Sequence, residues 1–233
     1  MPSMPRVKAI IFDLDNTLVE SQIDYGAMKS DVLEELISSG ADAGLLDPSK
    51  TIVENIRRAK ADLERRNPGM DISRMDERIN ALLTARELER VEAARAHEGA
   101  FIVLDAVKGR GLATAVLTRG SRRYALEVLC MTGLDGRVGP CVCRDDYPLE
   151  EAKPNPLAMR RAADRIGLRA EDCLYVGDHP MDLECAKSSG ARFVGVTTGS
   201  TDRERWLQSG CETVIASIAD LPAVLAALDG GDI

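Results

Sequence analysis

Two carboxylates, Asp13 and Asp15, follow an apolar run near the start of the sequence. Residues 7–12 are mostly apolar, have the length of a strand, and lead through the two acids into the turn-forming pair Asn16-Thr17. Residues two apart on a strand lie on one face, so both carboxylates would project from the same end of a sheet. At about 4 Å and an effective dielectric near 20 they repel by roughly 4 kcal/mol. The pair therefore indicates either a bound cation or shared proton, or solvated turn chemistry.

The composition is that of a globular protein. The 233 residues are 45% hydrophobic and 29% charged, with a formal charge of −8, which argues against a nucleic-acid or anionic-membrane partner. Met1–Arg6 lack an apolar export segment, and no apolar run reaches the ~18 residues of a membrane span, so we expect a cytoplasmic protein. The six cysteines lie mostly in apolar runs and are not spaced like a secreted disulfide framework, so we expect them to be reduced core residues. Cys141 and Cys143 have no second Cys/His pair at zinc spacing, which argues against a metal site.

The apolar spacing becomes helical for about 75 residues after the first strand. It predicts three helices, which begin at Asp24, at Asp47-Pro48 and at Ser73, the last running to Ala96. No strand pattern interrupts them. We therefore predict an all-helical domain over residues 20–96, inserted into a second domain formed by residues 1–19 and 97–233.

From Gly99 onward, strand patterns alternate with helices. This rhythm predicts an α/β domain of Rossmann-like type, a parallel sheet with helices on both faces. Ser121 and Asn155 are expected to cap two of the helices. The strands after the first are predicted near Ala113–Leu117, Val138–Cys143, Cys173–Val176, Arg192–Val196 and Thr213–Ala216.

Polar residues follow several of these strands. Asp13 and Asp15 end the first strand, Thr118 the second and Asp178 the fourth, while Lys153 lies in a loop before a helix. Parallel sheets gather ligands at the carboxyl ends of their strands, so these side chains should meet. Each alone is also compatible with an ordinary strand end or a solvated surface.

The order of these motifs resembles the haloacid dehalogenase superfamily of phosphotransferases. The resemblance rests on four segments, which are Asp13-Leu14-Asp15-Asn16-Thr17, Val116-Leu117-Thr118, Lys153-Pro154-Asn155-Pro156 and Gly177-Asp178-His179-Pro180-Met181-Asp182. The helical insertion is similar to the cap of the phosphoglycolate phosphatase-like branch. The resemblance implies that the cap covers the site and selects small substrates.

The resemblance also implies roles for the acids. Asp13 would be the nucleophile that forms an aspartyl-phosphate, and Asp15 the residue that protonates the leaving group and later activates water. Mg²⁺ would be held by Asp13, Asp178 and the backbone carbonyl of Asp15. Asp182, one helical turn after Asp178, would support the site from behind.

The resemblance implies that four further residues bind the transferred phosphate. Thr118 offers a hydroxyl, and the amides of Arg119 and Gly120 precede a helix N-terminus. Lys153 supplies a positive charge to the phosphate and to Asp13. Arg119 departs from the family pattern, and its role and that of His179 stay open.

These inferences favour a magnesium-dependent phosphatase acting on a small phosphorylated metabolite, phosphoglycolate-like or a sugar phosphate. Asp15 argues against a dehalogenase, because carbon–halogen cleavage needs no proton donor. The alternatives are a phosphomutase, a phosphonatase using a cap lysine, or a binding protein without turnover. The sequence is compatible with a monomer or a homodimer.

Overall fold

The computed structural model describes residues 7–230. Met1–Arg6, in which the sequence predicts no export signal, lie outside the described residues. The chain divides into two compact units: one combines the chain up to Ser21 with the chain from Val91 onward, and the other is Gln22–Arg90. No helix within residues 7–230 combines the length and hydropathy needed to cross a bilayer.

The first unit contains a six-stranded parallel sheet and a separate pair of short strands. The strands are β1 Ala9–Phe12, β2 Val19–Glu20, β3 Arg95–Ala96, β4 Ala113–Leu117, β5 Cys141–Val142, β6 Cys173–Gly177, β7 Arg192–Val196 and β8 Val214–Ile215. The sheet order is β5-β4-β1-β6-β7-β8, and β2 pairs antiparallel with β3. Phe12 is in register with Val116 of β4 and with Val176 of β6. Three neighbouring strands therefore end at nearly the same level.

Both faces of β1 are buried. Ala9 and Ile11 share an apolar cluster with residues of β4, of β6 and of the helices Pro156–Asp164 and Pro180–Ser189, while Ile10 and Phe12 are buried on the opposite face. The unit's helices are α4 Ala100–Gly109, α5 Arg122–Thr132, α6 Pro156–Asp164, α7 Pro180–Ser189, α8 Arg203–Gln208 and α9 Leu221–Gly230. Helices pack on both sides of the sheet, which confirms the predicted Rossmann-like α/β class.

Local signals in the sequence place several of these elements. Ser121 and Asn155 cap α5 and α6 through their side chains, as predicted.

Trp206 of α8 is completely buried, donates from Nε1 to the carbonyl of Val196, and packs on Phe193 at 5.5 Å between ring centroids. It is a packing residue. Five cysteines are buried and free, as expected, but Cys130 is exposed.

Two predicted elements have different limits in the structure. The third helix ends at Leu88 rather than Ala96, because Arg95–Ala96 pairs with Val19–Glu20 as a strand. The strand predicted over Val138–Cys143 is reduced to Cys141–Val142. In both places, pairing with a distant segment decides the backbone conformation, and helical or apolar periodicity within the segment cannot show this.

The second unit is helical throughout its regular structure. It contains α1 Tyr25–Ser38, α2 Ile52–Arg66 and α3 Ser73–Leu88. Asp24 caps α1 as predicted, whereas α2 begins after the cap residue Thr51, a few residues beyond the expected Asp47-Pro48. Its core is formed by Met28, Val32, Leu36, Ile56, Ala59, Leu63, Met75, Ile79 and Leu83. The assignment of this unit as a cap domain, with limits at 20 and 96, stays a prediction.

Asp62 is a buried acid on α2 that two arginines neutralise. Its Oδ1 lies 2.8 Å from Arg65 Nη2, its Oδ2 lies 2.9 Å from Arg66 Nε, and the backbone N–H of Asp42 donates to Oδ2 at 3.3 Å. The hydrogen bonds from Arg66 outweigh burial and lower the pKa of Asp62 in the folded protein. The stabilisation from the ionised carboxylate is thus present above its unfolded pKa of about 3.9, and is lost as pH falls through the lower folded pKa.

Replacing Asp62 with asparagine should therefore lower the thermal unfolding midpoint at neutral pH. The difference from the wild type should shrink as pH falls from about 5 to about 2, because the wild-type carboxylate becomes protonated there. Thermal unfolding followed by circular dichroism checks this. Glu64→Gln, on the exposed face of the same helix, is the control and should leave the midpoint nearly unchanged. A difference that stays constant down to the lowest pH would contradict the account.

Candidate active site

The site is built on the carboxyl ends of β1, β4 and β6. β1 lies between the other two strands, and the N–H of Asp13 donates to the carbonyl of Val176 at 2.8 Å, which continues the ladder to this residue. Thr118 follows β4 and Asp178 follows β6 directly. Strands β4 and β5 lie on one side of β1, and β6, β7 and β8 lie on the other. The carboxyl edge of the sheet at β1 is therefore a topological switch point, where open α/β sheets bind ligands.

Lys153 is the centre of a buried charged cluster. Its Nζ lies 2.5 Å from Asp13 Oδ1, 2.7 Å from Asp182 Oδ1 and 2.9 Å from the hydroxyl of Tyr175. Only 4% of the residue is exposed. Burial alone would lower the pKa of Lys153, but the carboxylates of Asp13 and Asp182 outweigh it and raise the pKa above that of an ordinary lysine. The lysine therefore stays charged and orients both acids.

Three acids, Asp13, Asp178 and Asp182, lie close together around the single ammonium group of Lys153. Burial, opposed by Lys153, raises the pKa of Asp13 well above its usual value, and the neighbouring acids add to the increase. Burial and then Asp182 raise the pKa of Asp178 to about 7. Carboxylate oxygens of Asp13 and Asp178 lie within 4.8 Å of each other. Two carboxylates this close need a proton or a cation between them.

Oxygen atoms of Asp13, Asp178 and Asp182 lie within 4.8 Å of one another. Mg²⁺ is commonly held by one or two carboxylates together with water and phosphate oxygens, so this donor set fits it chemically. Asp182 is less suited as a direct ligand, because Oδ1 accepts from Lys153 and from Tyr175, and Oδ2 accepts from the N–H of His179. The geometry leaves Asp13 and Asp178 as the carboxylates best placed to hold a cation.

Two glycines make room for these acids. A Cβ at position 199 would lie 1.8 Å from Asp178 Oδ2, and a Cβ at position 177 would lie 2.5 Å from Asp182 Oδ2. Both distances are far shorter than any van der Waals contact. Gly199, in the loop after β7, was not singled out from the sequence, because a glycine between Thr198 and Ser200 has the pattern of an ordinary turn.

The loop after β4 contains the predicted phosphate-binding residues. Thr118 is 1% exposed, and its Oγ1 accepts a hydrogen bond from the N–H of Gly120 at 2.9 Å. Arg119 Nη1 donates to the carbonyl of Lys153 at 3.2 Å and contacts Met181 Sδ at 3.5 Å. Arg144 fixes the loop with two hydrogen bonds: its backbone N–H donates to Gly120 O, and its Nη1 donates to Arg119 O. Arg119 thus lies beside the cluster around Lys153, and Thr118 is the residue before it in the chain.

Asp15 lies beside a tyrosine that the sequence analysis did not identify. Its Oδ1 accepts a hydrogen bond of 2.5 Å from the hydroxyl of Tyr124, on the first turn of α5. Tyr175 was also missed. A tyrosine inside a buried strand such as Leu174-Tyr175-Val176 is a signal that could have found it, because a buried hydroxyl needs a partner.

The two histidines occupy structural positions. His179 is the cap residue of α7, and its Nδ1 accepts from the N–H of Met181 at 3.2 Å. His97 follows β3, and its N–H donates to the carbonyl of Leu18 at 2.9 Å. Burial lowers the pKa of both imidazoles.

An open parallel sheet with a buried acid–lysine cluster at its carboxyl edge is an arrangement suited to phosphoryl transfer through a carboxylate nucleophile. The chain belongs to the haloacid dehalogenase-like hydrolase family, because the model of that family matches residues 7–190. The predicted superfamily and the prediction of a phosphatase-type enzyme are confirmed at this level.

Known proteins of similar sequence and structure agree with this assignment. A phosphoglycolate phosphatase of Neisseria gonorrhoeae is 29% identical over 209 residues, covering 86% of this chain and 84% of that protein. Another, of Xanthomonas campestris, is 29% identical over 208 residues, covering 85% and 89%. The crystal structure of a hydrolase from Pseudomonas syringae is 25% identical, with a TM-score of 0.68 and coverage of 94% of this chain and 97% of that chain. The resemblance to the phosphoglycolate phosphatase-like branch is thereby confirmed.

Proposed function

We propose that this protein is a Mg²⁺-dependent phosphatase that hydrolyses a small phosphorylated metabolite through an aspartyl-phosphate on Asp13. The observation that carries the proposal is the position of Asp13 at the sheet edge, 2.5 Å from Lys153 Nζ and with a carboxylate oxygen within 4.8 Å of one on Asp178. A carboxylate nucleophile beside a fixed cation, with a second carboxylate for a metal, suits attack on a dianionic phosphate.

The proposed reaction has two steps. An oxygen of Asp13 forms a bond to phosphorus as the ester P–O bond breaks, and the leaving oxygen takes a proton from Asp15. Water then attacks phosphorus and gives a proton to Asp15, and the bond between phosphorus and Asp13 breaks to release inorganic phosphate. Bound Mg²⁺, held by Asp13, Asp178 and the Asp15 carbonyl, would supply positive charge that lets the dianion approach the carboxylate.

The other site residues would position the reacting groups. Asp182 anchors Lys153 through its Oδ1, so we assign it a supporting role instead of a metal-ligand role. Thr118 would bind a phosphate oxygen through its hydroxyl proton, while its oxygen accepts from Gly120. Because the Gly120 amide is already engaged, it would contribute to phosphate binding only by exchanging this partner. Arg119 would add charge at the rim beside Lys153.

The substrate class rests on the relatives. Two of them are phosphoglycolate phosphatases, each matching more than four-fifths of this chain. We therefore propose phosphoglycolate or a related small phosphate ester, with no nucleic-acid or membrane partner, for a cytoplasmic monomer or homodimer. Residues of the helical unit, Tyr25, Lys29, Arg57 and Arg58 among them, are candidates for selecting it.

The test is phosphate release from a panel that includes 4-nitrophenyl phosphate, phosphoglycolate and sugar phosphates. We expect activity with millimolar Mg²⁺, at least about 100-fold loss after a chelator removes the metal, and recovery when Mg²⁺ is returned. A matched sample receives the chelator already saturated with Mg²⁺, and it should keep its activity. Activity that ignores metal removal would contradict the proposal.

Two other outcomes would identify the alternatives. Retention of phosphate on the carbon skeleton, with dependence on a sugar bisphosphate, would indicate a phosphomutase. A folded protein that binds phosphate esters without releasing phosphate would indicate a binding protein on the same fold. Both outcomes would overturn the phosphatase proposal.

A further inference from the structure

Tyr124 connects the helix after β4 to the proposed proton carrier. The residue is 1% exposed and is among the largest fully buried side chains of the described chain. Its hydroxyl donates to Asp15 Oδ1 at 2.5 Å, across 109 positions of sequence. A hydrogen bond from a neutral hydroxyl to a carboxylate is charge-assisted and short, and it fixes its partners more strongly than a neutral pair does.

Three local features fix the position of the Tyr124 ring. The N–H of Tyr124 donates to Oγ of the cap residue Ser121, so the residue lies in the first turn of α5. The ring packs on the backbone of Gly120, where a Cβ would come within 2.8 Å of Cδ1. The loop containing Gly120 is itself held by a hydrogen bond from Arg144 N to Gly120 O at 3.0 Å. The hydroxyl is therefore presented to Asp15 by a fixed framework.

We propose that Tyr124 is a positioning residue for Asp15, holding its carboxyl group in the orientation that delivers a proton to the leaving oxygen. This inference rests on the proposed phosphatase function and deepens it. A general acid must lie within hydrogen-bond reach of the atom it protonates, and Asp15 is only partly buried. Fixing Oδ1 fixes the plane of the carboxyl group and hence the direction of its second oxygen.

The hydroxyl of Tyr124 is suited to both halves of the cycle. It can donate to Asp15 Oδ1 whether the carboxyl is ionised or carries its proton on the other oxygen. The orientation of Asp15 would therefore persist while its proton is given to the leaving group and recovered from water. A phenylalanine would keep the packing on Gly120 but would remove this restraint.

Substrates with different leaving groups distinguish positioning from packing. The 4-nitrophenolate leaves without a proton, whereas the alkoxide of phosphoglycolate or another alkyl ester needs one. A packing defect slows both substrates alike. A defect in proton delivery slows the alkyl ester selectively, in kcat/KM, which reports the steps up to the first phosphoryl transfer.

The experiment compares Tyr124→Phe with the wild type on 4-nitrophenyl phosphate and on the alkyl phosphate that the wild type hydrolyses fastest. We expect kcat/KM to fall about tenfold for the alkyl ester and less than about twofold for the aryl ester. Asp15→Asn should show the same selectivity with a larger loss. Tyr147→Phe is the matched control, because the buried Tyr147 hydroxyl has no hydrogen-bond partner among residues 7–230, and it should match the wild type on both substrates.

The outcomes separate this inference from the proposed function. Equal losses on both esters, or no loss on either, with Asp15→Asn still selective, would overturn the role of Tyr124 and leave the phosphatase proposal standing. A wild type that hydrolyses neither ester in Mg²⁺ would overturn the proposed function itself, and the inference with it.

Discussion

The Asp13→Asn variant is expected to lose phosphatase activity by at least about 10⁴-fold. An amide oxygen is a poor nucleophile, and an amide cannot form the acyl phosphate through which the proposed reaction runs. The substitution hardly changes the shape of the side chain, so the loss would report chemistry. Steady-state phosphate release from 4-nitrophenyl phosphate, with Mg²⁺ present, measures it.

The folded state of this variant should be at least as stable as the wild type. Asp13 is buried beside Asp178 and Asp182, and burial already raises its pKa, so the ionised carboxylate is unfavourable there without a bound cation. Asparagine removes that charge, and Lys153 keeps Asp182 as its partner. We therefore expect an unchanged or higher thermal midpoint in metal-free buffer, which separates loss of chemistry from loss of folding.

Two further measurements complete this test. Mass spectrometry after acid quenching should find a phosphoryl group on Asp13 of the wild type during turnover, and no phosphoryl group on the Asp13→Asn protein. The control is Asp105→Asn, a surface acid paired with Arg137, with 65% of its side chain exposed, and it should retain full activity. Turnover by Asp13→Asn within about tenfold of the wild type would rule out Asp13 as the nucleophile.

The sequence was sufficient for the fold and for the acids, because both depend on local patterns. An apolar strand that stops at Asp13, and another that stops at Asp178, place their acids at one sheet edge whenever the strands are parallel. The strand register brings the ends of these strands to the same level, since Phe12 is paired with Val116 and with Val176. These relations need no knowledge of side-chain packing.

The partners of these acids depend on packing and could not be predicted in the same way. The contact between Tyr124 and Asp15 joins residues 109 positions apart, and it requires the angle of α5 and the open space at Gly120. The clearance around Asp178 depends on Gly199, in the loop after the next strand, β7. Periodicity predicts elements and their ends, whereas these contacts follow from how the elements approach one another.

Replacing Lys153 with methionine should damage both stability and catalysis. Its ammonium group is the shared partner of Asp13, Asp182 and Tyr175, so its removal leaves two buried carboxyl groups without their cation. Breaking a buried ion pair from one side costs about 3–5 kcal/mol. Activity should fall by at least about 10³-fold, because the phosphate also loses a positive charge. Urea unfolding in metal-free buffer and phosphate release measure the two effects.

A second substitution separates these two effects of Lys153. Asp182→Asn added to Lys153→Met removes one of the stranded charges, so it should recover part of the stability but none of the activity. The control is Lys8→Met, which breaks the pair between Lys8 Nζ and Asp172 Oδ1 at 3.0 Å, where 56% of the lysine side chain is exposed. It should cost less than about 1 kcal/mol and leave turnover unchanged. A Lys153→Met protein as stable and as active as this control would show that the buried cluster is organised by some other charge.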